Sequence, residues 1–330
     1  MPAVSPLPAS LIIDDGAPVN LMYYLKPADD VPFLIPGAFT RRFADLCREY
    51  GVRGKFTVMP VPSALGRIDR PVPRIPARLL REFLRDVRRG IAPAFDITPE
   101  ILTHQQKLRL PDLGPTHIYE DEWVAHATVK EMVPYFVLAL QILKNVHLPA
   151  TGFTSPWMTG ITNEDAYAEA MGRAQWQVHR RRFTWYFLHI LDRGQGGWPT
   201  VRWKNRNLTV VMVPATTGDP FWGTQTPGSL RQRRASAMAG VDQQLSADGR
   251  RGRMIELLAQ GNPIVPVTHW QSLFSNGTQT GLWGFETLLE RMRRRLGDRI
   301  EWMRCSDLAH LAVKRTAGSA SGHARASTKR

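Results

Sequence analysis

Strand-like apolar runs alternate with helix-patterned segments along almost the whole chain, and this alternation restricts the fold more than any single motif. Ser10 to Ile13 reads as a strand, and Phe39 to Tyr50 as a helix stopped at Gly51. Lys55 to Met59 is the next strand, closed by Pro60 and Pro62. An arginine-rich helix over Arg74 to Arg89 ends near Gly90, and Ile91 to Ile97 runs into a third strand. A polar connection over residues 98 to 118 leads to a helix from Glu120 to Val146. Its acidic first turn suits the positive end of the helix dipole, and Pro134 is expected to kink or divide it. Further strands are predicted at Thr151 to Trp157, Phe183 to Leu191, Leu208 to Val213, Ile264 to Thr268 and Ile300 to Met303. Helical patterns cover Glu164 to Trp176, parts of Ala235 to Gln260, Phe285 to Leu296 and a short stretch through Val313. There is no tandem repeat. Such alternation predicts parallel strands joined by crossover helices, and seven or eight units favour a (β/α) barrel over an open sheet. Residues 1–313 are expected to form the barrel, and the basic segment 314–330 a disordered tail.

Composition narrows the class. A hydrophobic share of 43% over 330 residues is that of a folded protein. No segment approaches the roughly 20 apolar residues of a membrane span. The first residues lack the basic and apolar regions of a signal peptide, so a cytoplasmic location is expected. Cys47 and Cys305 make no disulfide framework. The net charge of +14 resides partly in the tail and partly in the stretches Arg74 to Arg89 and Arg231 to Arg253. In the first of these, Leu79, Leu80, Phe83, Leu84 and Val87 recur at helical spacing, so the arginines read as the wet face of an amphipathic helix. No nucleic-acid-binding motif accompanies the charge, and no specific nucleic-acid partner is expected.

Leu11-Ile12-Ile13-Asp14-Asp15-Gly16 places two adjacent carboxylates where an apolar strand stops. Neighbouring carboxylates repel, so the pair calls for a cation, a shared proton or full solvation. In a parallel barrel the chemistry gathers at the carboxyl ends of the strands. The other exits supply Asp96, Glu100 and His104 after the third strand, Thr154 to Trp157 after the fourth, and His269 after the strand ending at Thr268. Two acids and two histidines could converge there to hold a divalent metal, with an acid and a histidine to spare for proton transfer. Asp96 and Glu100 read better as cap or turn acids than as ligands. Trp157, Trp222, Trp270 and Trp283 could line a sugar-stacking cleft or simply pack.

From Ile12 to about Leu311, in order, these residues resemble the polysaccharide deacetylase family, or NodB-homology domain. Ile13-Asp14-Asp15-Gly16 is similar to its first motif, Leu102-Thr103-His104 falls where its metal histidines lie, and Gly152 to Trp157 is similar to its third motif. Val265-Pro266-Val267-Thr268-His269 resembles its last motif, and Ile300 to Leu308 its closing strand and helix. The resemblance implies a distorted (β/α)7–8 barrel of the glycoside hydrolase and deacetylase type. It also implies a hydrolase acting on non-peptide carbon–nitrogen bonds, removing an acyl group from an N-acyl or O-acyl carbohydrate or a related amide. In that scheme Asp15 and His104 hold a divalent metal, zinc for preference, Asp14 is the general base and His269 the general acid, with Trp157 and Trp270 against the substrate. Two departures accompany it. The family's second metal histidine, four residues after the first, is Leu108 here, with His117 or His126 as weak substitutes. The arginine that precedes the third motif's proline is absent, Thr154 and Ser155 standing nearby. These departures motivate an alternative: an inactive barrel that binds carbohydrate, or an anionic polymer through its basic tail and helices.

Overall fold

Leu11, Ile12 and Ile13 are all buried, a run without polar alternation that suits a parallel strand covered on both faces. The computed structural model describes residues 5–191, 195 and 197–327, the stretch 317–327 as backbone alone. Its strands are β1 (Leu7–Ala9), β2 (Leu11–Asp14), β3 (Gly54–Thr57), β4 (Phe95–Thr98), β5 (Gln106–Leu108), β6 (Pro115–Tyr119), β7 (Phe153–Thr154), β8 (Phe183–Phe187), β9 (Thr200–Lys204), β10 (Thr209–Met212), β11 (Val267–His269) and β12 (Ile300–Trp302). Two four-stranded sheets dominate, ordered β11-β2-β3-β4 and β7-β8-β10-β9. Every pairing in them is parallel except that of β9 with β10. Parallel bridges join the two sheets on both sides. Glu100, beyond β4, pairs with Thr154 at the end of β7, and Thr217 pairs with Pro266 beyond β10 and before β11. The pairings therefore run in a circuit through β2, β3, β4, β7, β8, β10 and β11. The chain is a mixed α/β protein with parallel sheets.

The helices are α1 (Met22–Leu25), α2 (Gly37–Glu49), α3 (Ala77–Asp86), α4 (Glu120–His126), α5 (Val129–Asn145), α6 (Glu164–His179), α7 (Leu230–Gln244), α8 (Arg253–Ala259), α9 (Trp270–Phe274), α10 (Thr280–Arg295) and α11 (Cys305–Ser327). On α2 the side chains Phe39, Phe43, Leu46 and Cys47 are buried while Arg41, Arg42 and Arg48 face water, the stripe of a helix laid on a sheet. On α3, Leu80, Phe83 and Leu84 are buried and Arg78, Arg81 and Arg85 are exposed, as the amphipathic pattern predicts.

The structure departs from the expected elements in several places. The helix expected over Glu120 to Val146 breaks at Ala127 and Thr128, not at Pro134. Thr128 forms a capping box with Glu131 and so starts a new helix that contains Pro134 unbroken. The polar connection after β4 holds an antiparallel hairpin of β5 and β6. Strand β9, between the predicted strands at 183–191 and 208–213, is additional. Helix α11 carries helical backbone to Ser327, through most of the segment expected to be a disordered tail. The frequent alanines of that segment favour helix, and Thr328 to Arg330 lie outside the described residues.

Inside the circuit, a small apolar cluster of Ile12, Trp185, Val211 and Val267 is closed by Cys305 and Leu308 of α11. Both cysteines are buried, and they form no disulfide. Asp96 lies at this end. It accepts hydrogen bonds from Ser306 N at 2.7 Å and Thr151 Oγ1 at 2.8 Å, so it caps the start of α11. Among the described residues no helix is long and apolar enough to cross a membrane.

Candidate active site and metal centre

Period-2 alternation along β2, β3 and β4 turns Asp14, Lys55, Thr57 and Thr98 to one side. Lys55 is fully buried. Its ammonium contacts Asp14 Oδ1 and donates to Thr57 Oγ1 at 3.0 Å and Thr154 Oγ1 at 2.6 Å. A buried cation from β3 thus stands beside Thr154. Beyond Asp14 the chain turns sharply, with Asp15 at φ 62°. A Cβ on Gly16 would stand 1.9 Å from the Thr57 carbonyl oxygen, so only glycine lets this turn pass against β3.

The loop after β4 carries Glu100 and His104. Ile101 and His104 both adopt left-handed backbone, at φ 45° and 69°. Such backbone costs on the order of 1–3 kcal/mol per residue and persists where surrounding contacts impose it. Here they come from Glu120, the first residue of α4. Its Oε1 accepts from Leu102 N at 3.2 Å, Thr103 N at 3.0 Å and Tyr135 Oη at 2.8 Å, and its Oε2 accepts from His104 N at 3.0 Å. His104 Nε2 is thereby set 2.9 Å from Asp15 Oδ1 and 3.4 Å from Glu100 Oε1. Glu100 Oε2 accepts from Asp15 N at 2.9 Å, and Gln271 donates to Asp15 Oδ2. One ligand atom from each of Asp15, Glu100 and His104 lies within 4.8 Å of the others. Among the described residues, the His104 imidazole is the one group that faces the buried Oδ1.

These charges perturb one another. Burial opposes ionisation of Asp15, but the His104 charge and contact, then the His269 charge and Gln271, hold it well below the usual carboxylate range. Burial and the Asp15 charge push Glu100 up to about 8. Burial would lower His104, yet Asp15 and Glu100 raise it to about 9. Burial raises Glu120 to about 7 against its hydrogen bonds.

Across the cavity, His269 closes β11. Its Nδ1 lies 2.8 Å from Asp219 Oδ2, which also accepts from Ser272 Oγ at 2.7 Å. Asp219 Oδ1 accepts from Thr268 Oγ1 at 2.9 Å and Phe221 N at 2.8 Å. Burial would lower His269, but the bond to Asp219 and the charges of Asp15, Asp219 and Asp14 raise it to about 10. The ring of Trp222 stands edge-on to it, 5.0 Å between centroids.

Asp14, Asp15, His104, His269 and Trp157 therefore line a single cavity of about 250 Å³, as the strand-exit reading expects. Trp270 does not. It is fully buried against Phe39, Phe43 and Phe56 and donates from Nε1 to the Ala17 carbonyl at 3.1 Å, so it is a core residue and not a substrate contact. Trp283 also lies outside the cavity lining, packed on the main core. Leu108 is buried with its N donating to Tyr135, and neither His117 nor His126 joins the cavity. Glu100, set aside as a turn acid, completes the candidate ligand group from four residues before His104. Sequence reasoning also missed Lys55, Asp219 and Gln271. The available signals were a lysine inside an apolar strand and an acid just beyond β10.

The fold and this cavity define a mixed α/β protein with a candidate metal centre of carboxylate and imidazole. No protein-family model matches the chain, and no curated protein matches it. Among solved structures, it is similar to a 4-α-glucanotransferase from Thermococcus litoralis, at 9% identity and TM-score 0.42 over 91% of this chain and 40% of that one. It is also similar to an exo-β-1,4-mannosidase from Opitutaceae bacterium strain TAV5, at 11% identity and TM-score 0.42 over 89% of this chain and 61% of that one. The chain thus spans less than two thirds of the length of either.

Proposed function

We propose that this chain is a metal-dependent hydrolase that cleaves the acyl bond of an amide or ester, on a distorted seven-stranded (β/α) barrel. The observation that carries this reading is the buried group Asp15, Glu100 and His104, one ligand atom of each within 4.8 Å of the others, in a cavity that also presents Asp14 and His269. The circuit of parallel pairings, with the cavity at the carboxyl ends of the strands, supports the barrel. Mixed imidazole and carboxylate donors fit zinc among divalent ions. When bound, such an ion would supply electrophilic polarisation of the acyl carbonyl and acidification of a water.

The chain's own residues do the rest. Asp14 takes the proton of the attacking water, held in orientation by Lys55, which compensates its charge inside the fold. His269 carries a proton at neutral pH. Asp219 engages Nδ1, so Nε2 is the nitrogen that gives its proton to the departing amine or alcohol. Dialysis against zinc should load about one ion per chain, and Asp15→Ala should abolish both loading and hydrolysis. Metal analysis and release of free acid check this. Full activity in chelator-treated, metal-free protein would end the proposal, and loading without turnover on any amide or ester would favour the binding-only alternative.

A further inference from the structure

We infer that the amino end of the strand circuit, opposite the candidate site, is a docking face for an anionic lipid bilayer. The inference is independent of the hydrolase reading and uses none of that site's residues. The strands of the circuit all run the same way, so the segments that enter them lie together at the end closed by α11. Arg88 and Arg89 come before β4, Lys144 before β7, Arg180 and Arg182 before β8, and Arg206 before β10, all of them exposed. Backbone contacts join these approaches into one belt. Arg88 donates to the Val146 carbonyl at 3.2 Å, Lys144 donates to the Val178 carbonyl at 3.3 Å, and Thr209 N donates to the Arg182 carbonyl at 2.9 Å. Among the described residues no member of the belt pairs with a carboxylate. The neighbouring acids are taken, Asp86 by Arg41 and Arg85, Glu169 by Arg173, and Asp165 by Arg202. The exposed Glu301 and Asp307, also at this end, make no ion pair with the belt. His179 registers the resulting field: burial, then the charges of Arg181 and Lys144, push it down to about 4.

The layout of the belt favours a planar partner. Its cations come from the approaches to β4, β7, β8 and β10, so they spread across the blunt end of the circuit and do not follow one helix or loop. A sheet of anionic headgroups meets them together, whereas a single polyanionic strand engages only part of the belt. Trp176 supplies the second element of such a face. It is 37% exposed, and the guanidinium groups of Arg180 and Arg182 stand 5.6 and 5.7 Å from its ring centroid. An apolar ring with one polar N–H, set among cations, suits the headgroup level of a bilayer. No helix among the described residues is long and apolar enough to cross a membrane, so the association is peripheral and held mainly by charge. With the amino end on the bilayer, the cavity at the carboxyl ends of the strands stays open to water.

Sedimentation of the full chain with lipid vesicles tests this. One set of vesicles is phosphatidylcholine alone, and the other holds about one quarter phosphatidylserine, both at about 0.1 M salt. The chain should pellet with the mixed vesicles and not with the neutral ones, and about 1 M salt should release it. Each cation near such a surface strengthens association about fivefold, so Arg180→Gln with Arg182→Gln should weaken it about 25-fold. Arg231→Gln with Arg234→Gln removes the same charge at the start of α7, beyond the cavity-lining Trp222, and should change it by less than about twofold. Equal urea midpoints show that both variants keep the fold. Brominated lipid in the mixed vesicles should quench part of the tryptophan emission, and Trp176→Phe should lose that part. Failure to pellet with the mixed vesicles, or equal binding to the neutral ones, would overturn the inference. So would equal losses in the two paired variants, quenching that survives Trp176→Phe, or tighter binding to duplex DNA or heparin at the same salt.

Discussion

The two walls of the cavity treat charge in opposite ways. On one, each ion has a counter-ion of its own: Lys55 faces Asp14, and Asp219 faces His269. On the other, Asp15 and Glu100 crowd around a single imidazole. The first wall is complete as folded. The second sets one ionised acid, Asp15, against the protonated His104, because burial and the Asp15 charge push Glu100 up to about 8. On the proposed reading, a metal taken up by the second wall would displace the protons of Glu100 and His104 and leave the pairs of the first wall unchanged.

The sharpest way to break the contrast is to remove one ion from the paired wall. Lys55→Met leaves Asp14 buried without compensation, and loss of one partner of a buried pair costs about 3–5 kcal/mol. The urea midpoint should fall accordingly. Adding Asp14→Asn to Lys55→Met should recover much of the loss, because the uncompensated charge is then gone. If the single variant is as stable as the parent, the paired wall is not held by its charges.

The second wall is tested through Glu120. Glu120→Gln can keep three of the bonds at Oε1 but turns an amide N–H toward the His104 N–H. One buried donor is then unsatisfied, costing about 1–3 kcal/mol and loosening the loop that presents His104. Zinc affinity should weaken by about 10–100-fold, as for other groups that support a ligand from behind. An unchanged zinc titration would remove Glu120 from the design. The same wall has a pH signature. Glu100 has its folded pKa raised from 4.5 to about 8, so its contribution to stability is greatest below the unfolded value and declines as pH rises through about 8. Metal favours the ionised carboxylate, so zinc should suppress that decline. Denaturation curves of metal-free and zinc-loaded protein between pH 5 and pH 9 would reveal or refute the difference.

How much of this could be read in the sequence follows the range of the interactions. The alternation of strands and helices, the acid doublet ending β2 and the histidine ending β11 are local patterns, and the structure has them in those places. The face of Trp270 was misjudged because it follows His269 directly. One residue further on, the chain has entered α9 and the ring points into the core against Phe39. Glu100, Lys55 and Asp219 acquire meaning only from partners far along the chain. Asp14 and Lys55 are separated by 41 positions, and His269 and Asp219 by 50. Glu120 illustrates the limit well. Local rules account for an acid in the first turn of a helix, and only the tertiary fold reveals that it holds three backbone amides of another loop.

The smallest expected effect concerns the tuning of the acid. As a proton donor, His269 must be protonated, so the rate of the parent should hold as pH rises and fall near about pH 10, where the imidazolium loses its proton. Asp219→Asn keeps the shape of the partner and removes its charge. Burial, which lowers the histidine's pKa, then meets less opposition, and the proton leaves at lower pH. A hydrogen bond to a charged group is worth about 1.5–3 kcal/mol, so the alkaline limb should move down by about one to two pH units. The position of that limb is the informative readout, because the substitution would also disturb the bonds from Phe221 N and Thr268 and could lower the rate at every pH. A rate reduced uniformly with the limb unmoved would make Asp219 a purely structural support for the loop and leave His269 without its counter-ion's influence on chemistry.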